Sequence, residues 1–201
     1  MILRPGGQRV LRLVRHSESN WNSLGWVRGQ ADGARLTRKG RQQAQRAVSS
    51  LQTEDIAAVY SVDLRRAQDT AAFIADRLER EVETDQRPRE RCFGELEGSW
   101  SGSLPPADNG IRDGKVVDAQ AHPVSGQSLE GLNCRCADLV ESLVMQQDER
   151  DVAVVTHGGS IRMIRAFAAG TGVDDMSWGS VANASIRRVV LPLTSLVTSA
   201  R

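Results

Sequence analysis

Lysine is nearly missing from this chain of 201 residues: Lys39 and Lys115 are the only two, and arginine carries almost all of the positive charge. Histidine is scarce, with three residues, and aromatic residues make up 4%. Together with abundant alanine, the arginine bias suggests a GC-rich, bacterial genome. An excess of charge is also missing. Twenty-six Lys and Arg against 25 Asp and Glu leave a net charge of +1, which argues against the clustered basic surplus of a nucleic-acid protein. No apolar run approaches a membrane span, and residues 1–12 hold arginines without an apolar stretch of export-signal length. The three cysteines, Cys92, Cys134 and Cys136, are an odd number without a secretory signal, which points to reduced thiols in the cytoplasm. The Cys134–Cys136 pair lacks the further ligands of a zinc site, so no metal is expected there, and no motif of the chain calls for a cofactor.

What is present reads as a soluble globular protein, with 40% hydrophobic and 25% charged residues. Its length fits a single domain over residues 1–201. Four Val-, Ile- and Leu-rich runs predict strands at 10–16, 56–62, 151–157 and 184–191. Helical spacing of apolar residues predicts helices at about 37–51, with Thr37 as N-cap, and at 64–78, 128–147 and 160–169. Strands alternating with helices imply an α/β fold with a mostly parallel central sheet. Residues 98–127, rich in Gly, Pro, Ser and Asp, are expected to form an irregular, lid-like insertion.

Two histidines end apolar runs in similar settings: LVRHSES at 13–19 and VVTHGGS at 154–160. Parallel strands present their carboxyl ends on one edge of the sheet, where ligands bind. That edge should gather Arg15, His16 and His157, and the arginines of LRRAQDT (64–70). Gly158 and Gly159 open a helix whose free N–H groups suit an anion. Arginines give bidentate donors for phosphate oxygens, and a neutral imidazole is a nucleophile towards phosphorus. The constellation points to phosphoryl transfer. His122 matches no motif, and Glu18, Arg65 and Asp32 read as loop organisers or solvated charges. Trp21, Trp26, Trp100 and Trp178 read as packing residues, with Trp26 and Trp100 also candidates for a leaving-group pocket.

Five segments in order resemble those of the histidine phosphatase superfamily, the phosphoglycerate mutase-like family: RHSES at 15–19, GQADGARLTRKGRQQA at 29–44, SVDLRRAQDTA at 61–71, ERCFGELEG at 90–98 and THGGSIR at 156–162. The resemblance implies a three-layer α/β/α, phosphoglycerate mutase-like fold. It implies His16 as the nucleophile that becomes phosphohistidine. Arg15, Asn22, Arg66, His157 and Gly158 would hold the phosphoryl group, and Glu90 would be the proton donor. Arg28 and Gln30 would lie on the substrate rim. The family's glycine after the first histidine is Ser17 here; a positive φ at that position would cost serine about 1 kcal/mol. Pro88 stands two residues before Glu90 where an aliphatic residue is usual, which leaves Glu95 and Glu97 as alternative acids.

The HGG sequence at 157–159 lacks the histidine–aspartate pair of the acid phosphatase branch, so the acid should come from the Glu90 segment. Mutases of the family carry a basic stretch before the second histidine. Here Arg112 and Lys115 are offset by Asp108, Asp113 and Asp118. The expected activity is therefore metal-independent hydrolysis of a small phosphate ester. Phosphoglycerate mutase-type transfer is the alternative, and a catalytically inactive phospho-ligand binder is a third reading. Neither nucleic acid nor membrane is expected as a partner, and the sequence is compatible with a homodimer.

Overall fold

The computed structural model describes residues 7–51, 54–103, 109–146 and 148–193. A five-stranded sheet runs in the order β3-β2-β6-β1-β7. It is formed by β1 (Gln8–Arg15), β2 (Ile56–Ser61), β3 (Val82–Thr84), β6 (Asp151–Thr156) and β7 (Ile186–Pro192). β1, β2, β3 and β6 are parallel, and β7 joins the β1 edge antiparallel. A separate two-residue hairpin, β4 (Ile111–Arg112) with β5 (Lys115–Val116), lies within the 98–127 segment. Short 3₁₀ turns at Gly94–Leu96 and Ser101–Ser103 precede it.

Alternation along the central strands fills two cores, one on each face. Leu11, Leu13, Val152 and Val154 face α4 (Leu129–Met145) and α5 (Gly158–Ala168), meeting Leu132, Leu139, Leu143, Ile161 and Ile164. Val14, Ala153 and Val155 face α2 (Arg38–Leu51) and α3 (Arg65–Leu78), meeting Val48, Leu51, Ala71 and Ile74. This is the three-layer α/β/α architecture expected. Each fully buried aliphatic side chain contributes on the order of 1.5–3 kcal/mol, so the central strands are the firmest part of the molecule.

Helix boundaries follow from local chemistry. The Thr37 hydroxyl accepts the Gly40 N–H at 2.9 Å and opens α2. The Ser128 hydroxyl accepts the Gly131 N–H at 3.0 Å and opens α4. Gly40 has a further role: a Cβ there would meet the Glu18 carbonyl oxygen at 2.0 Å, so only glycine lets α2 lie against the loop after β1. The structure adds β3 and the hairpin, which the hydrophobic pattern did not mark. β7 reaches Pro192, and the tail from 194 onward lies outside the described residues, as do 104–108 of the expected insertion.

Candidate active site

The pairing of β1 with β6 sets Arg15 opposite Thr156. The next residue of each strand is a histidine, so the two chains deliver both imidazoles to the same end of the sheet. The His16 N–H donates to the Thr156 carbonyl at 2.8 Å, and the rings lie 5.0 Å apart between centroids. Both are almost fully buried.

Each ring has a defined tautomer. His16 Nδ1 lies 2.8 Å from the Ser17 carbonyl oxygen. A carbonyl only accepts, so Nδ1 carries the hydrogen and Nε2 keeps its lone pair. His157 Nδ1 faces Arg66 Nη2 at 3.5 Å. A guanidinium only donates, so the hydrogen of His157 sits on Nε2, which is buried with no partner. Burial pushes both imidazoles well below the usual histidine pKa of 6.5, and Arg66 and Arg15 add repulsion in the same direction. Both rings are therefore neutral at pH 7.

The loop after His16 is docked on α3. The Ser17 N–H donates to Thr70 Oγ1 at 3.0 Å, and that hydroxyl donates to the Arg66 carbonyl at 2.8 Å. Ser17 is not among the residues with positive φ, so the strain expected of serine at this position does not arise. Glu18 organises the loop: its carboxylate accepts from Thr37 Oγ1 at 2.9 Å and from Lys39 Nζ at 2.7 Å. The segment before β7 closes the other side, where Asn183 Nδ2 donates to the His16 carbonyl at 3.0 Å.

Arg66 is fully buried on the first turn of α3. Its Nη1 donates to Ala31 O at 2.8 Å and its Nη2 to Gly29 O at 2.6 Å, while Nε has no partner. Arg15 donates through Nη1 to the Val181 carbonyl and likewise keeps a buried, unpartnered Nε. Burial lowers both guanidiniums to about 10, with Arg28 repelling Arg15 and Glu90 partly offsetting the effect on Arg66. Both stay charged at pH 7. Arg65, beside them in sequence, turns outward and pairs with Asp69 at 2.7 Å. Asp32 accepts the Arg65 N–H at 2.6 Å and holds the start of α3.

Glu90 arrives on a loop. Its Oε1 accepts the Arg91 N–H at 2.9 Å and its Oε2 the Gly159 N–H at 3.0 Å. A Cβ on Gly159 would come within 2.0 Å of that carboxylate, so the second glycine of HGG makes room for the acid. Pro88 does not displace the segment, because its carbonyl accepts the Thr156 hydroxyl. Glu97 points elsewhere, accepting the N–H groups of Gln30 at 2.8 Å and Phe93 at 2.9 Å. Neither Glu95 nor Glu97 lines the cavity.

These groups enclose a cavity of about 310 Å³, at the small end of ligand sites. Arg15, His16, Arg28, Arg66, Glu90, His157 and Gly158 all line it. Asn22 and Gln30 do not. Asn22 Oδ1 accepts from the Ser19 N–H at 3.0 Å and the Ser19 hydroxyl at 2.8 Å, closing a capping box on α1 (Asn20–Ser23). Gln30 Nε2 instead donates to the Glu90 carbonyl at 3.0 Å, steadying the acid loop. Trp26 lines the wall, but Trp100 stands outside it and is 63% exposed. Arg162 and Trp178 also line it, and no motif of the sequence marks either as a site residue. Arg162 lies four residues after Gly158 on α5, so helical spacing puts both on one face. Among the described residues no three His, Cys, Asp or Glu side chains gather to hold a metal ion, and no helix is long and apolar enough to cross a membrane.

The chain is 35% identical to a glucosyl-3-phosphoglycerate phosphatase of Mycolicibacterium vanbaalenii over 88% of its own length and 83% of the relative's. It is 30% identical to a putative phosphoserine phosphatase of Hydrogenobacter thermophilus over 89% and 88%. It is also 28% identical to a 2,3-bisphosphoglycerate-dependent phosphoglycerate mutase of Thermoplasma acidophilum over 94% and 91%. A solved mycobacterial glucosyl-3-phosphoglycerate phosphatase superposes with a TM-score of 0.79 at 30% identity, each chain 90% covered. The model of the histidine phosphatase superfamily (branch 1) matches residues 11–194, a span that takes in both strand-end histidines and the loop of Glu90. This chain belongs to that superfamily.

Proposed function

We propose that the protein is a metal-independent phosphomonoester hydrolase working through a phosphohistidine on His16. The supporting observation is a matched set of unused atoms: one imidazole lone pair, on His16, beside three buried N–H donors without partners, on Arg15 Nε, Arg66 Nε and His157 Nε2. Buried donors without partners cost free energy. An anion with several acceptor oxygens removes that cost, and a phosphoryl group supplies them.

In the first step His16 Nε2 attacks phosphorus and the bond to the ester oxygen breaks, with Glu90 giving that oxygen a proton. In the second, Glu90 takes a proton from water as the water attacks phosphorus. The P–N bond breaks, releasing phosphate and restoring neutral His16. Arg15, Arg66 and His157 stabilise the charge on the equatorial oxygens in both transition states. The Gly158 end of α5 adds the positive pole of a helix.

Arg112 and Lys115, the cations of the 98–127 segment, are exposed on the hairpin and do not line the cavity. Hydrolysis is thus favoured over transfer to a held second acceptor. In this reading the chain acts as one domain, the 98–127 segment borders the leaving group, and Arg28 lies on the rim. The free thiols of Cys92, Cys134 and Cys136 and the arginine bias suit a bacterial cytoplasm. The test is hydrolysis of p-nitrophenyl phosphate with excess chelator present. Wild type should turn over, and His16→Ala should lose about 10⁴-fold. Retained activity in that variant, or loss to chelator, contradicts the reading.

A further inference from the structure

The cavity holds more positive charge than a phosphoryl group can use. Arg15, Arg28, Arg66 and Arg162 line it, and Glu90 is the one acidic residue among its lining residues. Both histidines are neutral. With Glu90 ionised, three positive charges remain, and a phosphate monoester dianion cancels two. With Glu90 carrying the proton it must deliver, the surplus is larger. At least one guanidinium is left for the rest of the substrate.

Arg162 is the one built for it. Its Nε donates to the Gly179 carbonyl at 2.7 Å, and its guanidinium lies over the Trp178 ring at 4.6 Å. These two contacts fix the plane of the fork while leaving the Nη edge unused. Among the described residues no carboxylate forms a salt bridge with it or with Arg28. Arg162 Nη1 and Arg15 Nε both lie within 4 Å of the same point above Gly158, so a group held by Arg162 sits only a few bonds from the phosphoryl group. Arg28, tethered by Nη1 to the Trp26 carbonyl at 2.8 Å, lines the same wall. The unused Nη edge matches a carboxylate, which takes two parallel N–H donors. Arg28 and Arg162 are both lowered by burial, so they sit where water screens poorly and an unpaired guanidinium is costly.

Resting on the phosphatase reading above, we infer that Arg162 is a specificity-determining residue that receives a carboxylate on the alcohol part of the substrate, close to the phosphoester. The substrate class is then phosphomonoesters of short hydroxy acids, in preference to phosphates of neutral alcohols.

The test compares kcat/KM for two matched pairs, each differing by a carboxylate in place of a hydroxymethyl group. These are 2-phosphoglycolate against 2-hydroxyethyl phosphate, and 3-phosphoglycerate against glycerol 1-phosphate. The wild type should favour the acid of at least one pair by tenfold or more. Arg162→Met should cut that ratio at least fivefold, and Arg162→Lys, which keeps the charge but not the fork, should restore part of it. A wild-type ratio near one in both pairs, or a ratio unchanged in Arg162→Met, overturns the inference while p-nitrophenyl phosphate is still hydrolysed. Equal losses on acid and alcohol in Arg162→Met also overturn it, because they describe a general structural role. If p-nitrophenyl phosphate is not hydrolysed by the wild type either, the phosphatase reading has failed and the subsite falls with it.

Discussion

The wall of the cavity that carries His16 and His157 and the wall that carries Glu90 are built from different materials. The first is the end of two adjacent parallel strands, β6 buried throughout and β1 buried over most of its length, whose positions are set by apolar packing on both faces of the sheet. The second is loop, tied down by arginine side chains that reach backbone carbonyls. Arg91 is 1% exposed and donates to Gln127 O at 2.6 Å, Asn109 O at 2.7 Å and Ala121 O at 2.7 Å. Arg135 on α4 donates to Arg89 O at 3.1 Å and Gln127 Oε1 at 2.7 Å. His16 sits at the end of the best-buried strands of the sheet. Glu90 sits on a loop held by a guanidinium scaffold. Such a division lets the rim change while the phosphoryl site stays fixed.

Altering each wall in turn should give different failures. After the loss expected of His16→Ala, the largest effect is expected from Glu90→Gln. Its loss should reach about 10²–10³-fold on alkyl phosphates, whose leaving oxygen needs a proton, and stay under about tenfold on p-nitrophenyl phosphate. Equal losses on both would place the acid elsewhere. Next comes Arg91→Met, which removes a buried guanidinium and leaves three partly buried carbonyls without that donor. It should cost roughly 3 kcal/mol of stability, read by denaturant unfolding, and should increase proteolysis of residues 98–127 before global unfolding. An unchanged midpoint would mean the scaffold carries no weight.

A smaller, subtler effect concerns protonation. Both buried imidazoles have folded-state pKa values below the unfolded value near 6.5. Between those values the unfolded chain binds more protons. Stability should therefore be full above about pH 6.5 and decline as pH falls below it. Imidazole NMR signals of His16 and His157 should keep their neutral positions from pH 8 to below 6.5. Titration of either ring at 6.5 would contradict the burial argument. The smallest change is expected from Ser17→Gly. Since Ser17 does not sit at positive φ, glycine relieves no strain there and should cost up to about 1 kcal/mol through added freedom in the unfolded chain. A stabilised variant would mean that the buried, unpartnered Ser17 hydroxyl costs more than that freedom.

The same contrast governs what could be read from the sequence. Apolar runs ending in His16 and His157 announce their strands, and one parallel pairing brings the histidines together. The helices that cover the sheet also show in the spacing of Ala44, Val48, Ile74 and Leu139. Arg91 and Arg135 read as ordinary surface charge, because nothing in local pattern distinguishes a buried or half-buried guanidinium strut from a solvated arginine. β3 has no such signal, because Val82–Thr84 is short and mostly exposed. Asn22 caps α1 through Oδ1 and does not line the cavity, a placement that the motif alone does not show. The position of Arg162 one turn after Gly158 follows from helical spacing, but its place over Trp178 depends on the chain folding back between α5 and β7.

The central claim is that the phosphoryl group passes through His16 Nε2. The most direct measurement is rapid quenching of the enzyme with a labelled aryl phosphate, followed by locating the label by peptide mapping. An acid-labile, base-stable phosphoryl group is expected on the peptide containing His16, absent from His16→Ala. Turnover with no such species under conditions that trap phosphohistidine, or label on another residue, would contradict it.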